Sequence, residues 1–179
     1  MRIIGGKYRG KKLPVSNKLD LRPTTDFAKE SLFNLLMNRK DIHDIHFLDI
    51  FSGTGNISYE LISRGASSGR CVDISLASHK YREKLIAILD MKGELRSIKS
   101  EGLKFLRRTT DSYDIIFADP PYNYEHIHEI PRIVFQRELL KANGLLILEH
   151  SEDHTFEKDP HFIEHKRYGR VNFSFFKHE

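Results

Sequence analysis

The sequence predicts an α/β fold: a parallel, Rossmann-like sheet with helices on both faces and an antiparallel hairpin at its C-terminal end. Apolar, strand-length runs alternate with helix-length amphipathic segments from about residue 45 to residue 150. The connections between them are short, which makes the strands parallel and covers both faces of the sheet. Residues 161–166 and 171–177 then alternate with period two across Gly169, the pattern of a hairpin.

The elements follow in order. Residues 1–13 combine Ile3, Ile4, Tyr8 and Leu13 with basic side chains and with Gly5, Gly6 and Gly10, and read as a short basic β-ribbon or hairpin with glycine turns. Residues 14–24 read as loop. Pro23, Thr24 and Thr25 open a helix that a threonine can cap, and Asp26 and Glu30 complement the positive end of its dipole. Phe27, Leu32, Leu35 and Leu36 give it an apolar stripe. A buried strand at 45–51 precedes a helix at 56–64 that Gly65 stops. A strand at 70–74, a helix at 76–89, a short strand at 95–99 and a helical turn at 103–107 come next. Residues 113–118 form an apolar strand, 127–140 a helix and 144–149 a further strand.

The chain has 179 residues, enough for one domain with a small appendage. Lys and Arg number 29 against 25 Asp and Glu, a net charge of +4. That charge is unevenly placed: residues 1–25 hold Arg2, Lys7, Arg9, Lys11, Lys12, Lys18 and Arg22 against the single acid Asp20. The rest of the chain is slightly acidic, so a polyanion would meet the N-terminal head. A single cysteine, Cys71, excludes an internal disulfide framework and a cysteine-rich zinc site. The beginning lacks the apolar stretch of a signal peptide, and runs such as 145–148 are too short to span a bilayer. A soluble, cytoplasmic protein is expected.

Asp49-Ile50-Phe51-Ser52-Gly53-Thr54-Gly55 lies where the first strand of the sheet turns into its helix. Ligands of doubly wound sheets sit in the crevice at such strand ends, and glycine lets the backbone approach them closely. Gly53-x-Gly55 is two-thirds of a dinucleotide fingerprint, with Ser58 where the third glycine would stand. A bare tight turn reads equally well from the glycines alone. Asp73 favours a nucleoside-containing cofactor: it ends the second strand, about 20 residues after Gly53, the spacing at which an acid reaches ribose hydroxyls. Its competing reading is a helix N-cap, a job open to Ser75. Glu101, just past the third strand, could accept from an adenine amino group or serve as a first-turn helix acid.

Asp119-Pro120-Pro121-Tyr122 is the most specific signal. Two prolines after a buried strand forbid both helix and ladder pairing, so they hold a rigid turn. Such a turn presents a carboxylate, a backbone carbonyl and an aromatic face in fixed relation, a set suited to a planar heterocycle bearing an amino group.

This tetrad, following Phe47-Leu48-Asp49-Ile50-Phe51-Ser52-Gly53-Thr54-Gly55, resembles the S-adenosylmethionine-dependent methyltransferases that act on exocyclic amino groups of nucleic-acid bases. The blocks Met1-Arg2-Ile3-Ile4-Gly5-Gly6-Lys7-Tyr8-Arg9-Gly10-Lys11-Lys12-Leu13 and residues 21–33 are similar to the opening of the RsmD-type 16S ribosomal RNA guanine-N2 methyltransferases. The resemblance spans essentially the whole chain. It implies a seven-stranded class I methyltransferase fold, S-adenosylmethionine as cofactor, no metal, and one guanine of small-subunit RNA, free or in an assembly particle, as substrate. It also implies that Asp49, Phe51, Gly53, Gly55, Asp73, Glu101 and Asp119 bind the cofactor and that Asp119, Pro120, Pro121 and Tyr122 carry catalysis. In that scheme residues 1–25 form an RNA-contacting extension, through Arg2, Lys7, Arg9, Lys11, Lys12 and Arg22, to a catalytic domain at 26–179 that works as a monomer.

Other classes fit less of the sequence. Gly5-x4-Gly10-Lys11 imitates a phosphate-binding loop, but Lys12 replaces the metal-binding hydroxyl and no buried strand precedes it. A nicotinamide dehydrogenase would share Gly53, Gly55 and Asp73 but has no use for the tetrad. An adenine-N6 methyltransferase would use the same tetrad chemistry, and a silent RNA-binding domain would not need it. The histidine pairs His126/His128, His150/His154 and His161/His165 lack acid and thiol partners and read as packing or surface residues.

Overall fold

The computed structural model describes residues 1–14 and 26–178. After a 3-10 turn at Gly6–Tyr8 come helix α1 (Asp26–Arg39), strand β1 (His46–Ile50), α2 (Asn56–Ser63), β2 (Ser68–Asp73) and α3 (Leu76–Ile88). Then follow β3 (Leu95–Lys99), the short α4 (Gly102–Leu106), β4 (Tyr113–Ala118), α5 (Glu129–Gln136) and the strands β5 (Leu140–His150), β6 (Phe162–Tyr168) and β7 (Val171–Phe176). One sheet holds all seven strands in the order β3-β2-β1-β4-β5-β7-β6. Strands β1 to β5 run parallel, and β7 pairs antiparallel with both β5 and β6.

The sheet is buried on both faces because successive strand residues point opposite ways. Phe47, Ile115, Leu145 and Ile147 pack with Leu32 and Phe33 of α1, Ile57 and Leu61 of α2 and Leu85 of α3. Leu48, Ile116, Leu146 and Leu148 pack with Leu106 of α4 and Ile130 and Val134 of α5. This two-layer burial accounts for the continuous apolar strand sequences. No helix among the described residues is long and apolar enough to cross a membrane.

Two elements differ from the sequence expectation. The predicted helix at 127–140 is shorter: α5 ends at Gln136, Glu138 turns the chain with φ 52°, and β5 already begins at Leu140. A register irregularity between Tyr113 and Ile115 lets β5 start early. On α1, Phe27 faces solvent while Lys29 is fully buried on the inner face. Periodicity cannot anticipate this, because a buried lysine depends on an acid from another helix. The N-terminal segment turns back on itself and is closed by a single antiparallel bridge between Arg2 and Lys12. Ile3 N donates to Lys11 O at 3.1 Å and Leu13 N to Met1 O at 3.0 Å.

That loop is part of the core. Ile3 and Leu13 are buried in the same cluster as α1 and α2. Ile4 N and Gly5 N each donate to the Glu60 carboxylate at 2.8 Å. Gly6 approaches α2 so closely, with φ 73°, that a Cβ there would lie 1.7 Å from Ser63 O. The expected domain boundary, the helix cap at Thr24-Thr25, and Lys18 and Arg22 lie outside the described residues.

Candidate active site

The carboxyl ends of β1, β2, β4 and β5 open into one cleft of about 820 Å³. Asp49, Phe51, Gly53, Asp73, Glu101, Asp119, Pro120, Pro121 and Tyr122 all line it, so the structure brings these sequence-predicted residues together. Gly55 stands just behind the wall, as the left-handed residue (φ 83°) before α2.

The glycine loop is fixed from several sides. Ser52 N donates to Val72 O at 3.0 Å, and Gly53 N donates to Asp73 Oδ2 at 3.0 Å. The fully buried Arg82 of α3 donates Nη1 to Gly53 O at 2.7 Å and Nε to Ser97 Oγ at 3.0 Å. Sequence reasoning missed Arg82; a charged residue in an amphipathic helix carries no mark of burial. Asp73 Oδ1 accepts from Ser75 N at 2.8 Å, while Ser75 itself caps α3 by accepting from Ser78 N. Asp73 therefore keeps a lone pair on each oxygen for hydroxyl donors. Beside it, Ile74 is 67% exposed on the cleft wall, an apolar surface that a planar ring can cover.

Phe51 adopts φ 60°, a strained conformation for a bulky residue. Its ring lies over Gly102, where a Cβ would come within 2.7 Å, and meets Tyr124 edge-on at 5.1 Å. Glu101 lines the same wall but also does helix work: it caps α4 by accepting from Leu103 N at 2.9 Å and Lys104 N at 2.6 Å. The Tyr124 hydroxyl adds a third donor at 3.2 Å.

Deeper in the cleft lie three carboxyls on neighbouring strands. Asp49 is 1% exposed, and Ser58 Oγ donates to its Oδ2 at 2.6 Å. The residue standing where a third glycine would be thus holds the acid in place. Burial pushes the Asp49 carboxyl up from 3.8 to about 7, with the Ser58 hydroxyl and Arg82 opposing. Asp119 is pushed well up by burial and then by the Asp49 carboxylate. Glu149 is raised by burial and then by Asp119. These shifts set a pH dependence. The folded chain keeps a proton on Asp49 that the unfolded chain releases above 3.8, so stability falls as pH rises towards about 7 and then levels off. Asp49→Asn should remove part of that fall, at most about 4 kcal/mol. Urea midpoints at pH 5 and pH 8 check it; equal slopes for the variant and the parent would refute it.

Five acids (Asp49, Asp73, Glu101, Asp119, Glu149) line the cleft, with the cation Arg170 at its edge. A cationic ligand would favour the ionised form of the raised carboxyls among them. The tetrad follows β4, with Tyr122 53% exposed against the opening.

Several of the histidines have packing roles. His150 Nε2 lies 2.8 Å from Ser174 Oγ, His161 stacks on Phe135 at 3.8 Å, and His128 lies against Phe156. Among the described residues no group of three metal-ligating side chains could hold a metal ion.

The fold, the glycine loop and the tetrad define a class I, S-adenosylmethionine-dependent methyltransferase. The family model described as "Conserved hypothetical protein 95" matches residues 1–177. The chain belongs to this family, that of ribosomal RNA small subunit methyltransferase D. The protein of that name from Buchnera aphidicola is 34% identical over 158 residues, covering 88% of this chain and 79% of its own length. The Escherichia coli K12 protein of the same name is 34% identical over 149 residues, covering 83% and 74%. The solved structure of the Escherichia coli protein yhhF superposes with a TM-score of 0.86 at 31% identity, covering 98% of this chain and 96% of that one. A protein from Thermus thermophilus shares the fold at a TM-score of 0.84 and 24% identity, covering 99% of each chain.

Proposed function

We propose that this protein transfers the methyl group of S-adenosylmethionine to the exocyclic N2 amino group of a guanine in 16S ribosomal RNA. The observation that carries the reading is Asp119, held at the base of the cleft at the head of a rigid Pro-Pro turn, with the exposed Tyr122 beside the opening. The acid-lined cleft fits a cofactor that is both a nucleoside and a cation: Asp73 offers acceptors to ribose hydroxyls, Ile74 an apolar platform, and Asp49 a carboxyl that a nearby cation would ionise. The bound cofactor supplies an electrophilic sulfonium methyl.

The chain's own contribution is to the acceptor. The guanine N2 lone pair is delocalised into the ring and is a poor nucleophile. Acceptance of its two N–H groups by Asp119 and by the Pro120 carbonyl favours the pyramidal nitrogen that attacks in line. Prolines at 120 and 121 fix those acceptors in advance, so orientation is not reorganised during the step. Tyr122 stacks on the base once it is drawn out of the RNA.

Arg9, Lys11 and Lys12 are exposed on the N-terminal loop and would grip phosphates. Arg2 and Lys7 are exposed too, but pair with Asp26 at 2.9 Å and Glu94 at 2.7 Å. Surface pairs of this kind are weak, so phosphate can compete for both. The proposed working form is a cytoplasmic monomer acting on the RNA or on a small-subunit assembly particle.

Labelled methyl transfer to RNA and to small-subunit particles from cells lacking the gene, with the product base identified by mass spectrometry, tests the reading. N2-methylguanine supports it; N6-methyladenine or no product refutes it. The triple change of Arg9, Lys11 and Lys12 to glutamine should leave cofactor affinity unchanged. It should flatten the salt dependence of RNA binding by roughly 2 in log–log slope. An unchanged slope removes the phosphate role.

A further inference from the structure

The acid at the end of β5 has no part in the chemistry above. Glu149 is 4% exposed and lines the cleft, yet its Oε2 accepts no hydrogen bond. Buried carboxyl oxygens normally have a donor, and one without is expensive to keep. Burial, and next the Asp119 carboxylate, push this carboxyl up to about 9. What would bring it down is a hydrogen-bond donor delivered into the cleft.

Its position says which donor. Ala118 pairs with Leu148 in the parallel register of β4 and β5, so Asp119 and Glu149 follow side by side at the strand ends. Neighbouring strands are about 4.8 Å apart, and residues at paired positions of parallel strands point to one face. In the strand order, β5 lies on the far side of β4 from β1 and β2, which carry the glycine loop and Asp73. Glu149 therefore stands on the acceptor side of Asp119, away from the cofactor. The edge of guanine matches this spacing: N1–H sits directly beside the N2 amino group that Asp119 receives. A purine without that proton would present an N1 lone pair, which the carboxyl can meet only by keeping its own proton.

We propose that Glu149 accepts the N1–H of the target guanine and so determines which purine the enzyme methylates. The inference rests on the guanine-N2 reading above. It makes Glu149 a specificity-determining residue, distinct from the methyl-transfer contacts of Asp119 and Pro120. The orphaned Oε2 is then an acceptor held ready for substrate.

The test uses the full chain and small-subunit RNA assembled by ligation with either guanosine or 2-aminopurine at the methylated position. 2-Aminopurine keeps the N2 amino group but has a bare N1. The parent enzyme should favour guanosine in kcat/KM by roughly 10-fold, because N1–H donation to the ionised carboxylate is a stronger hydrogen bond than the neutral O–H···N1 bond open to 2-aminopurine. Glu149→Gln keeps the side-chain volume and offers an amide N–H to a bare N1. In that variant the preference should fall to within about threefold, or reverse, with cofactor Kd unchanged. Equal losses on both RNAs are what a merely structural role gives, and they overturn the proposal, as does an unchanged ratio. Should the variant fail to fold, a parental ratio near one is enough to reject it. Methylation of neither RNA by the parent enzyme would instead mean that the guanine-N2 reading itself is wrong, and the Glu149 role falls with it.

Discussion

Asp119→Ala should lower methyl transfer by roughly 10²- to 10⁴-fold while cofactor affinity changes by no more than a few-fold. The expected loss follows from the proposed geometry: the variant keeps both prolines and the β4 terminus but removes the acceptor proposed to hold one amino N–H. Asp119→Asn retains an acceptor oxygen at the same place and should lose less. Misfolding is not a competing explanation. Asp119 is raised by burial and by Asp49, and it raises Glu149 in turn, so deleting it relieves like-charge repulsion in the cleft. The thermal midpoint of the alanine variant should therefore hold steady or rise. Single-turnover rates, calorimetric cofactor binding and thermal melts together check this, and near-normal turnover in a well-folded Asp119→Ala protein would remove Asp119 from the mechanism.

The sheet and the glycine-loop side of the cleft were legible in the sequence because local rules govern them. Each strand buried on both faces shows as an apolar run, and the loop between β1 and α2 declares itself by glycines that reach positive φ at Gly53 and Gly55. The tetrad is equally local: proline chemistry at 120 and 121 is fixed by the chain itself. What stayed hidden depends on partners far away in the chain. Arg82 ties α3 to Gly53 and Ser97, and Glu149 gains meaning only from standing next to Asp119 in a register the sequence does not print. Glu101 shows both sides of the problem, since one carboxylate lines the cleft and caps α4. The N-terminal loop is the plainest case. Its charges are local and legible, but the burial of Ile3 and Leu13 and the donation of Ile4 N and Gly5 N to an acid on α2 are not.

That buried acid is the point where the fold is most exposed to a single change. Glu60 is fully buried and receives Ile4 N, Gly5 N and Arg64 Nε, each at 2.8 Å, with Lys29 Nζ at 3.3 Å. Lys29 is fully buried as well, and its other contacts are Arg2 O at 2.6 Å and Asn56 Oδ1 at 2.8 Å. Burial lowers the Lys29 pKa, and Glu60 is the main influence in the other direction. Glu60→Ala would leave that ammonium without a counter-ion and two backbone N–H groups of the N-terminal loop without an acceptor. Breaking a buried pair from one side costs about 3–5 kcal/mol, which for a chain of this size lowers the melting midpoint by roughly 10 °C. Adding Lys29→Met to Glu60→Ala should recover part of the loss, because no buried charge then remains. It should not recover the loop, whose Ile4 and Gly5 donors stay unmatched. Limited proteolysis would show the distinction, with cleavage inside residues 1–14 in both variants. The damage should also reach the cofactor: Asn56 opens α2, and Thr54 Oγ1 donates to Met1 Sδ at 3.3 Å, so the loop braces the strand–helix turn from behind. A Glu60→Ala protein that melts with the parent and keeps its N-terminal loop protected would show that the four donors on Glu60 do not hold the loop to α2.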